Sequence, residues 1–531
     1  MRFKLRLIRL AFLFILATAV AGSAEQGMFI LNQAKLPAGW TLQETMRVSR
    51  PDLAAFSNKL QGEITALTNY LFDAAGERLQ VNVVECAAPE EAATVYHTLL
   101  LMKGSEDSLQ LEGKMVLEYI GENPLLLNQA KTSLTFERYN PAIDQEAIYF
   151  QDNYSVLQID QERLWLAEDI LASSIEDISL FITAEFHGIA ANQELEFAFL
   201  KYFQEQAGVK YFLQEIAYST AMFLNSYLES GDEGILSDLF KSLRGTYGWT
   251  KENYRLYQKL YHYNASLPPE ERITIIGFDI EHQPENALSY LYRLLPEQDI
   301  PPVIEPLIAQ LKNIYRKKLY DHNYLKGFAR ELKESMVTHA QVYQQYLGEN
   351  RFGFELVTAN LLNRFIAYQE KGQDRLFFNQ TRDQMMYDNF IKIYPQLPAG
   401  KFYGQWGLNH GLQKRQAGVD WFAARLNEKA SPFRGKLLTI IYLYQDCWQM
   451  TRSGGGNYGK RRLTTYSSNK PVLDLYSSGD FTLFNLVGTD SPYTKHLFWP
   501  LKMTTPAEGV TTDYFQYLLL IRNSGPSTPL H

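Results

Sequence analysis

The chain has 531 residues, 46% of them hydrophobic and 21% charged, a balance that supports packed cores and excludes a disordered polymer. This length exceeds one typical domain, so two folding units are expected. A formal charge of −8, read without a basic cluster, makes nucleic acid or an anionic membrane a poor partner.

Residues 1–24 read as a secretory signal. Arg2, Lys4, Arg6 and Arg9 form a positive start, Leu10 to Val20 a short apolar run, and Ala21 and Ala24 are small residues suited to cleavage. The apolar run is too short to span a bilayer, and no lipid-anchor cysteine follows. The reading is therefore an exported protein without a stable membrane anchor, with a bacterial periplasm as the expected location. Removing four positive and no acidic residues takes the formal charge from −8 to −12. Cys86 and Cys447 are the only cysteines, which excludes a disulfide framework.

Residues 25–136 read as a small α+β domain without a catalytic motif, and its role and any protein partner stay open. A helix is expected over Asp52–Leu60, strands near Ala66–Phe72 and Arg78–Val84, and a helix over Pro89–Met102 that opens on Glu90 and Glu91. MVLEYIG and LLLNQAKTSLTF are expected to be strands.

From about residue 140 to 531, apolar runs alternate with long helical stretches, the pattern of an α/β domain with a mostly parallel sheet flanked by helices. The runs are ISLFIT, VKYFLQE, RITIIGFDI, AGKFYGQWG, GKLLTIIYLYQ and DYFQYLLLIRNS. A helical insertion occupies about residues 285–395. SGGGNYGK, residues 453–460, lacks the ending of a phosphate loop and reads as a mobile surface loop.

Open parallel sheets present ligands at the carboxyl ends of their strands. The first of these strands runs into Glu185 and His187, the second into Glu215, the third into Asp279, Glu281 and His282, and the fourth into a loop carrying His410. Four successive acidic or histidine endings define one expected polar site. An unpaired buried carboxylate is costly, so Glu215 is hard to explain structurally. His282 reads as exposed.

The stretch AEFHGIAANQELEFAFLKYFQEQAGVKYFLQEIAYSTAMFLNSYLESGD resembles the opening βαβ unit of the erythromycin esterase-like proteins and the wider TraB, TIKI and ChaN group. Glu185, His187 and Glu215 fall on that pattern. Gly277-Phe278-Asp279, the Arg382, Met386 and Asn389 spacing, Gly407-x-x-His410 and the closing YLLLIRNSGPSTPL extend it over about residues 140–531. Ala184 stands where a glycine is usual. The arginine that the esterases carry after the histidine is absent, since the stretch reads ANQELEF.

The resemblance implies a hydrolase of ester or peptide bonds, acting on a small-molecule or peptide substrate. Glu185, His187, Glu215, Asp279 and His410 would be catalytic, and Arg382 and Glu281 would bind substrate. Two versions stay open: a histidine base that activates water, or a divalent metal held by His187, His410 and Glu185. The ChaN side of the resemblance implies an alternative, a haem- or iron-binding protein without turnover. A serine or cysteine nucleophile is disfavoured because no G-x-S-x-G is present.

Overall fold

In the computed structural model, residues 29–48, 50–140, 144–172, 175–370, 374–453, 456–466, 471–477 and 479–530 are described. The expected signal, residues 1–24, lies outside them. Chain contacts define two units. The first holds the described residues up to Asp152 together with Thr465–Ser477 and Pro500–Lys502, and the second holds the rest. The first unit thus extends beyond residue 136 and takes in two segments from late in the chain.

The first unit is built on a five-stranded antiparallel sheet. Its strands are β1 (Trp40–Arg47), β2 (Ile64–Ala74), β3 (Glu77–Cys86), β4 (Leu109–Glu112) and β5 (Met115–Ile120), in the order β1-β2-β3-β5-β4. Helices α1 (Arg50–Leu60) and α2 (Pro89–Lys103) cover one face through Leu53, Leu60, Val95 and Leu99. Ala130 and Leu134 pack into the core on the other. LLLNQAKTSLTF is not a strand: Pro124–Ser133 is helix α3, and Asn123 caps it by accepting from Leu125 N at 3.0 Å. An Asn-Pro start outweighs the apolar run, because Asn satisfies an orphan N–H and Pro suits the first helical position.

The second unit holds a nine-stranded sheet. Its strands are β6 (Tyr154–Asp160), β7 (Arg163–Leu166), β8 (Leu180–Glu185), β9 (Val209–Ala217), β10 (Thr274–Asp279), β11 (Lys401–Gly407), β12 (Leu437–Gln445), β15 (Phe481–Asn485) and β16 (Tyr517–Arg522), with a separate hairpin of β13 (Cys447–Ser453) and β14 (Asn457–Leu463). The order is β10-β9-β11-β8-β12-β16-β15-β6-β7. The six strands from β10 to β16 pair in parallel, and β15, β6 and β7 continue the sheet antiparallel. The fold is thus α/β, mostly parallel, as the alternating pattern implied. Residues 457–460, read as part of a mobile loop, belong instead to β14, one arm of the hairpin.

The central strand shows why these runs are apolar throughout. Leu180 and Ile182 of β8 enter one core and Phe181 the opposite one, so both faces are covered by helices. One covering helix is α4 (Ala190–Ala207), which joins β8 to β9, and α5 (Tyr218–Ser230) follows β9. The edge strand β10 is closed by side chains. Asn225 bonds both Ile275 N and O, at 2.9 and 2.8 Å, and Asn264 does the same to Ile273 at 2.9 and 2.8 Å. Those bonds occupy backbone groups that could otherwise template another chain. Between β10 and β11 the described residues from Pro284 to Ile393 form six α-helices and a short 3-10 turn, the last α-helix being α6 (Arg375–Ile393).

Candidate active site

β8 ends on Glu185, buried beneath a cleft of about 480 Å³. The carboxylate accepts from His187 Nδ1 on one oxygen and from Asn192 Nδ2 on the other. Asn192 also donates to Phe186 O at 2.9 Å and accepts the Tyr444 hydroxyl at 2.9 Å. Tyr444 in turn accepts Phe186 N at 3.2 Å. This closed set fixes Glu185, and Glu185 fixes the histidine ring.

His187 is 43% exposed, and its other nitrogen is turned toward the end of β11. A Cβ at Gly407 would lie 3.2 Å from His187 Nε2 and 3.4 Å from Glu215 Oε2, so these two groups converge on the Gly407 Cα and a side chain there would crowd both. Burial acts against the charged ring, but Glu185 and then Glu215 outweigh it and lift His187 to about 9.

Glu215 reaches the cleft through a bulge. Gln214 pairs with Gly277 while Ala217 pairs with Asp279, so an extra residue is accommodated in β9. A Cβ at Gly277 would stand 2.4 Å from Ala217 O, which makes glycine necessary there. Glu215 accepts from Arg382 Nη2 at 2.7 Å and from Gly407 N at 2.9 Å. Burial opposes its ionisation, yet His410 and Arg382 hold it well below the usual carboxylate range.

Asp279, fully buried at the end of β10, is gripped by Arg382 through Nε at 3.0 Å and through Nη2. His282 Nε2 donates to Asp279 at 2.8 Å, and Tyr368 lies 2.9 Å from His282 Nδ1. Burial again opposes ionisation, and Arg382 with His282 pushes Asp279 below its ordinary value. His282 was expected to be exposed; it lines the cleft instead, because its ring completes the Asp279 carboxylate.

His410 stands behind Arg382 and does not line the cleft. Its Nδ1 is 2.7 Å from Asp383 and its Nε2 3.4 Å from Glu215. Burial lowers its basicity, but Asp383 and Glu215 overcome this and raise it to about 10. The ring lies between two carboxylates, with Arg382 Nη1 3.3 Å from its Nε2. Asp383 is itself held by Phe422 N at 2.7 Å.

The structure brings Glu185, His187, Glu215, Asp279 and Arg382 into one cleft, with His410 directly behind. Glu281 does not join them. It is fully buried at the start of α5, where it accepts from Ser219 N at 3.2 Å and Oγ at 2.5 Å, so it has no surface for a substrate. The metal set His187, His410 and Glu185 does not fit either. Both His410 nitrogens face carboxylates, Glu185 is engaged by His187 and Asn192, and the positive charge among the carboxylates comes from Arg382. Among the described residues no group of three His, Cys, Asp or Glu side chains is placed to hold a metal ion.

Sequence reading missed Asn192, Tyr444, Asp383 and Glu196. Asp383 follows Arg382 directly, and that pair of opposite charges in a helix was an available signal. Glu196, on α4, lines the cleft at 4% exposure with only two amide contacts, Gln214 at 3.3 Å and Gln405 at 3.5 Å.

No protein-family model and no curated protein matches the sequence. Solved structures share the fold. A protein from Bacillus cereus is similar over 74% of this chain and 100% of its own, at TM-score 0.53 and 17% identity. A succinoglycan biosynthesis protein is similar over 68% of this chain and 91% of its own, at TM-score 0.51 and 15% identity. A mutant of the erythromycin esterase EreC in its open conformation is similar over 67% and 93%, at TM-score 0.49 and 13% identity.

Proposed function

We propose that this chain is a hydrolase in which His187 activates water for attack on a carbonyl carbon. The observation that carries this is the orientation of one ring: Nδ1 is fixed by a buried carboxylate while Nε2 faces Gly407 at the cleft. That arrangement sets the tautomer a general base needs. The water oxygen bonds to the carbonyl carbon as its proton passes to His187 Nε2. The imidazolium so formed lies between Glu185 and Glu215, whose charges favour it. When the bond to the leaving oxygen breaks, the same proton returns to that oxygen. Arg382 acts as a positioning residue: it holds Glu215 and Asp279 in place and takes no proton.

An ester such as a p-nitrophenyl carboxylate is the simplest substrate for this chemistry. Hydrolysis is expected in the wild type and a loss of about 100-fold in His187→Gln, in the range typical of a removed general base. Turnover that His187→Gln leaves unchanged overturns the proposal. So does an absence of ester turnover together with a Soret band on adding haem that His187→Gln abolishes, which would identify a haem-binding protein. Residues 1–24, read as a signal, put this activity on an exported protein. An N-terminus beginning after Ala21 or Ala24 in periplasmic material checks that; a retained leader in cytoplasmic material sinks it.

A further inference from the structure

The acidity of the whole chain hides one basic element. The hairpin from Cys447 to Leu463 carries Arg452, Lys460, Arg461 and Arg462 and no acidic residue. All four cations are exposed. The reading that the chain lacks a basic cluster holds for its composition and fails for this hairpin.

The hairpin is built into the cleft. Met450 N donates to Gly188 O at 2.7 Å, and Gln449 Nε2 donates to His187 O at 2.8 Å. Gly188 has φ +90°, and a Cβ there would stand 2.7 Å from Met450 O, so the close approach depends on glycine. On the far side, Tyr458 bridges Gly245 N and Thr246 O at 2.9 and 3.1 Å. Arg452 donates to Gly245 O at 3.1 Å and lies over the Tyr247 ring at 4.5 Å. The Tyr247 ring is 5.6 Å from that of His187. Arg452, Tyr247 and His187 therefore form a row along the cleft wall, and all three line the cleft.

We propose that Arg452 recognises an anionic group on the substrate, with Lys460, Arg461 and Arg462 steering that anion toward it. The substrate class is then an ester whose acyl part ends in a carboxylate or comparable anion. This rests on the hydrolase reading above. A guanidinium stacked on an aromatic ring keeps edge N–H groups in a fixed plane suited to a carboxylate. Arg452 lines the cleft, and the three further exposed cations on the same hairpin add a positive field that raises the local anion concentration in a salt-dependent way. Arg382, by contrast, is already engaged by Glu215 and Asp279.

Two four-carbon acyl esters, p-nitrophenyl hemisuccinate ending in a carboxylate and p-nitrophenyl butyrate ending in a methyl, test this as a ratio of kcat/KM on one protein, with each ester's uncatalysed rate subtracted. The hemisuccinate is expected to lead by about 10-fold at 20 mM NaCl, with the lead shrinking several-fold at 500 mM NaCl as the charges are screened. Arg452→Gln should bring the ratio close to 1, and Arg452→Lys should keep part of it. Equilibrium binding of the matching anilides, N-(4-nitrophenyl)succinamate and N-(4-nitrophenyl)butanamide, reads recognition without turnover. Equal binding of the two anilides, or a preference that Arg452→Gln leaves intact, overturns the inference whatever the esters do. Absence of ester turnover with a salt-dependent succinamate preference would instead sink the hydrolase reading and leave anion recognition standing.

Discussion

Arg382 grips Asp279 from two nitrogens, with Nε 3.0 Å from Oδ1 and Nη2 against Oδ2, and its Nη2 also reaches Glu215 at 2.7 Å. One guanidinium on the helical insertion thus ties together the ends of two neighbouring strands. Both carboxylates are buried, and their like charges would repel in the absence of this cation.

Removing Arg382 should accordingly destabilise the second unit. Arg382→Ala leaves two carboxylates buried without their common partner, and the loss expected for breaking a buried pair on one side is about 3–5 kcal/mol. Arg382→Lys keeps the charge but not the two-point geometry, so its loss should be smaller. Urea unfolding at pH 7 measures both. The acid side follows from the same groups: carboxylates depressed in the folded state stabilise it above their unfolded pKa, and this is lost as pH falls through the folded value. The wild type should therefore weaken below about pH 4, and Arg382→Ala should weaken less over that range. A loss under about 1 kcal/mol in Arg382→Ala would mean that the cation does not hold this site together.

Glu196 behaves in the opposite sense. Burial first, and then the nearby charge of Glu185, raise it to about 8, against the hydrogen bond from Gln214 and, less, the charge of His187. Around it stand Gln214 on β9, Gln405 on β11 and Tyr257 from the helix Lys251–Ser266. A group whose folded value is raised contributes stability below its unfolded value, near 4.5, and that contribution disappears as pH rises through about 8. Glu196→Gln replaces the neutral acid by a neutral isostere that never has to ionise. Its melting temperature should match the wild type at pH 5 and exceed it at pH 8.5. Equal melting temperatures at both values would show that Glu196 is ionised at neutral pH.

The strand ends were legible in the sequence because each apolar run stops abruptly at an acidic or histidine residue. Glu185, Glu215 and Asp279 were found that way, and the sheet brings them to one side of a single cleft. Glu281 broke the rule because it lies two residues past the end of β10, where the chain has turned to cap α5. His282 was misread as exposed for the same reason. Its partner, Tyr368, lies 86 residues away on the insertion, and pairing across that distance leaves no local pattern. Asn192 and Tyr444 were invisible because a neutral side chain on a helix or buried strand looks like packing until its hydrogen bonds are known. The antiparallel strands β15, β6 and β7 escaped because they lie outside the alternation of strand and helix that identified the others.

The hydrogen bond between Glu185 and His187 makes the sharpest test of the site, because it can be read without any substrate. His187 is raised to about 9, with burial opposing the charged ring and Glu185 as the chief cause of the rise. Replacing Glu185 by Gln removes that charge but keeps the shape, so His187 should titrate nearer the ordinary histidine value of about 6.5. Histidine NMR on the two proteins, with His187→Gln to assign the signal, measures this directly. The catalytic counterpart follows from the sign. A base must be neutral to accept a proton, so wild-type kcat/KM for an ester should climb with pH up to about 9, and the climb in Glu185→Gln should end at lower pH. Its plateau should also fall, by about 100-fold or more, since Gln does not fix Nδ1–H as a carboxylate does. If the titration moves and the rate profile does not, His187 is not the group whose ionisation limits the reaction. If neither moves, Glu185 does not control His187, and the pair that opens the cleft serves only to hold β8 to α4.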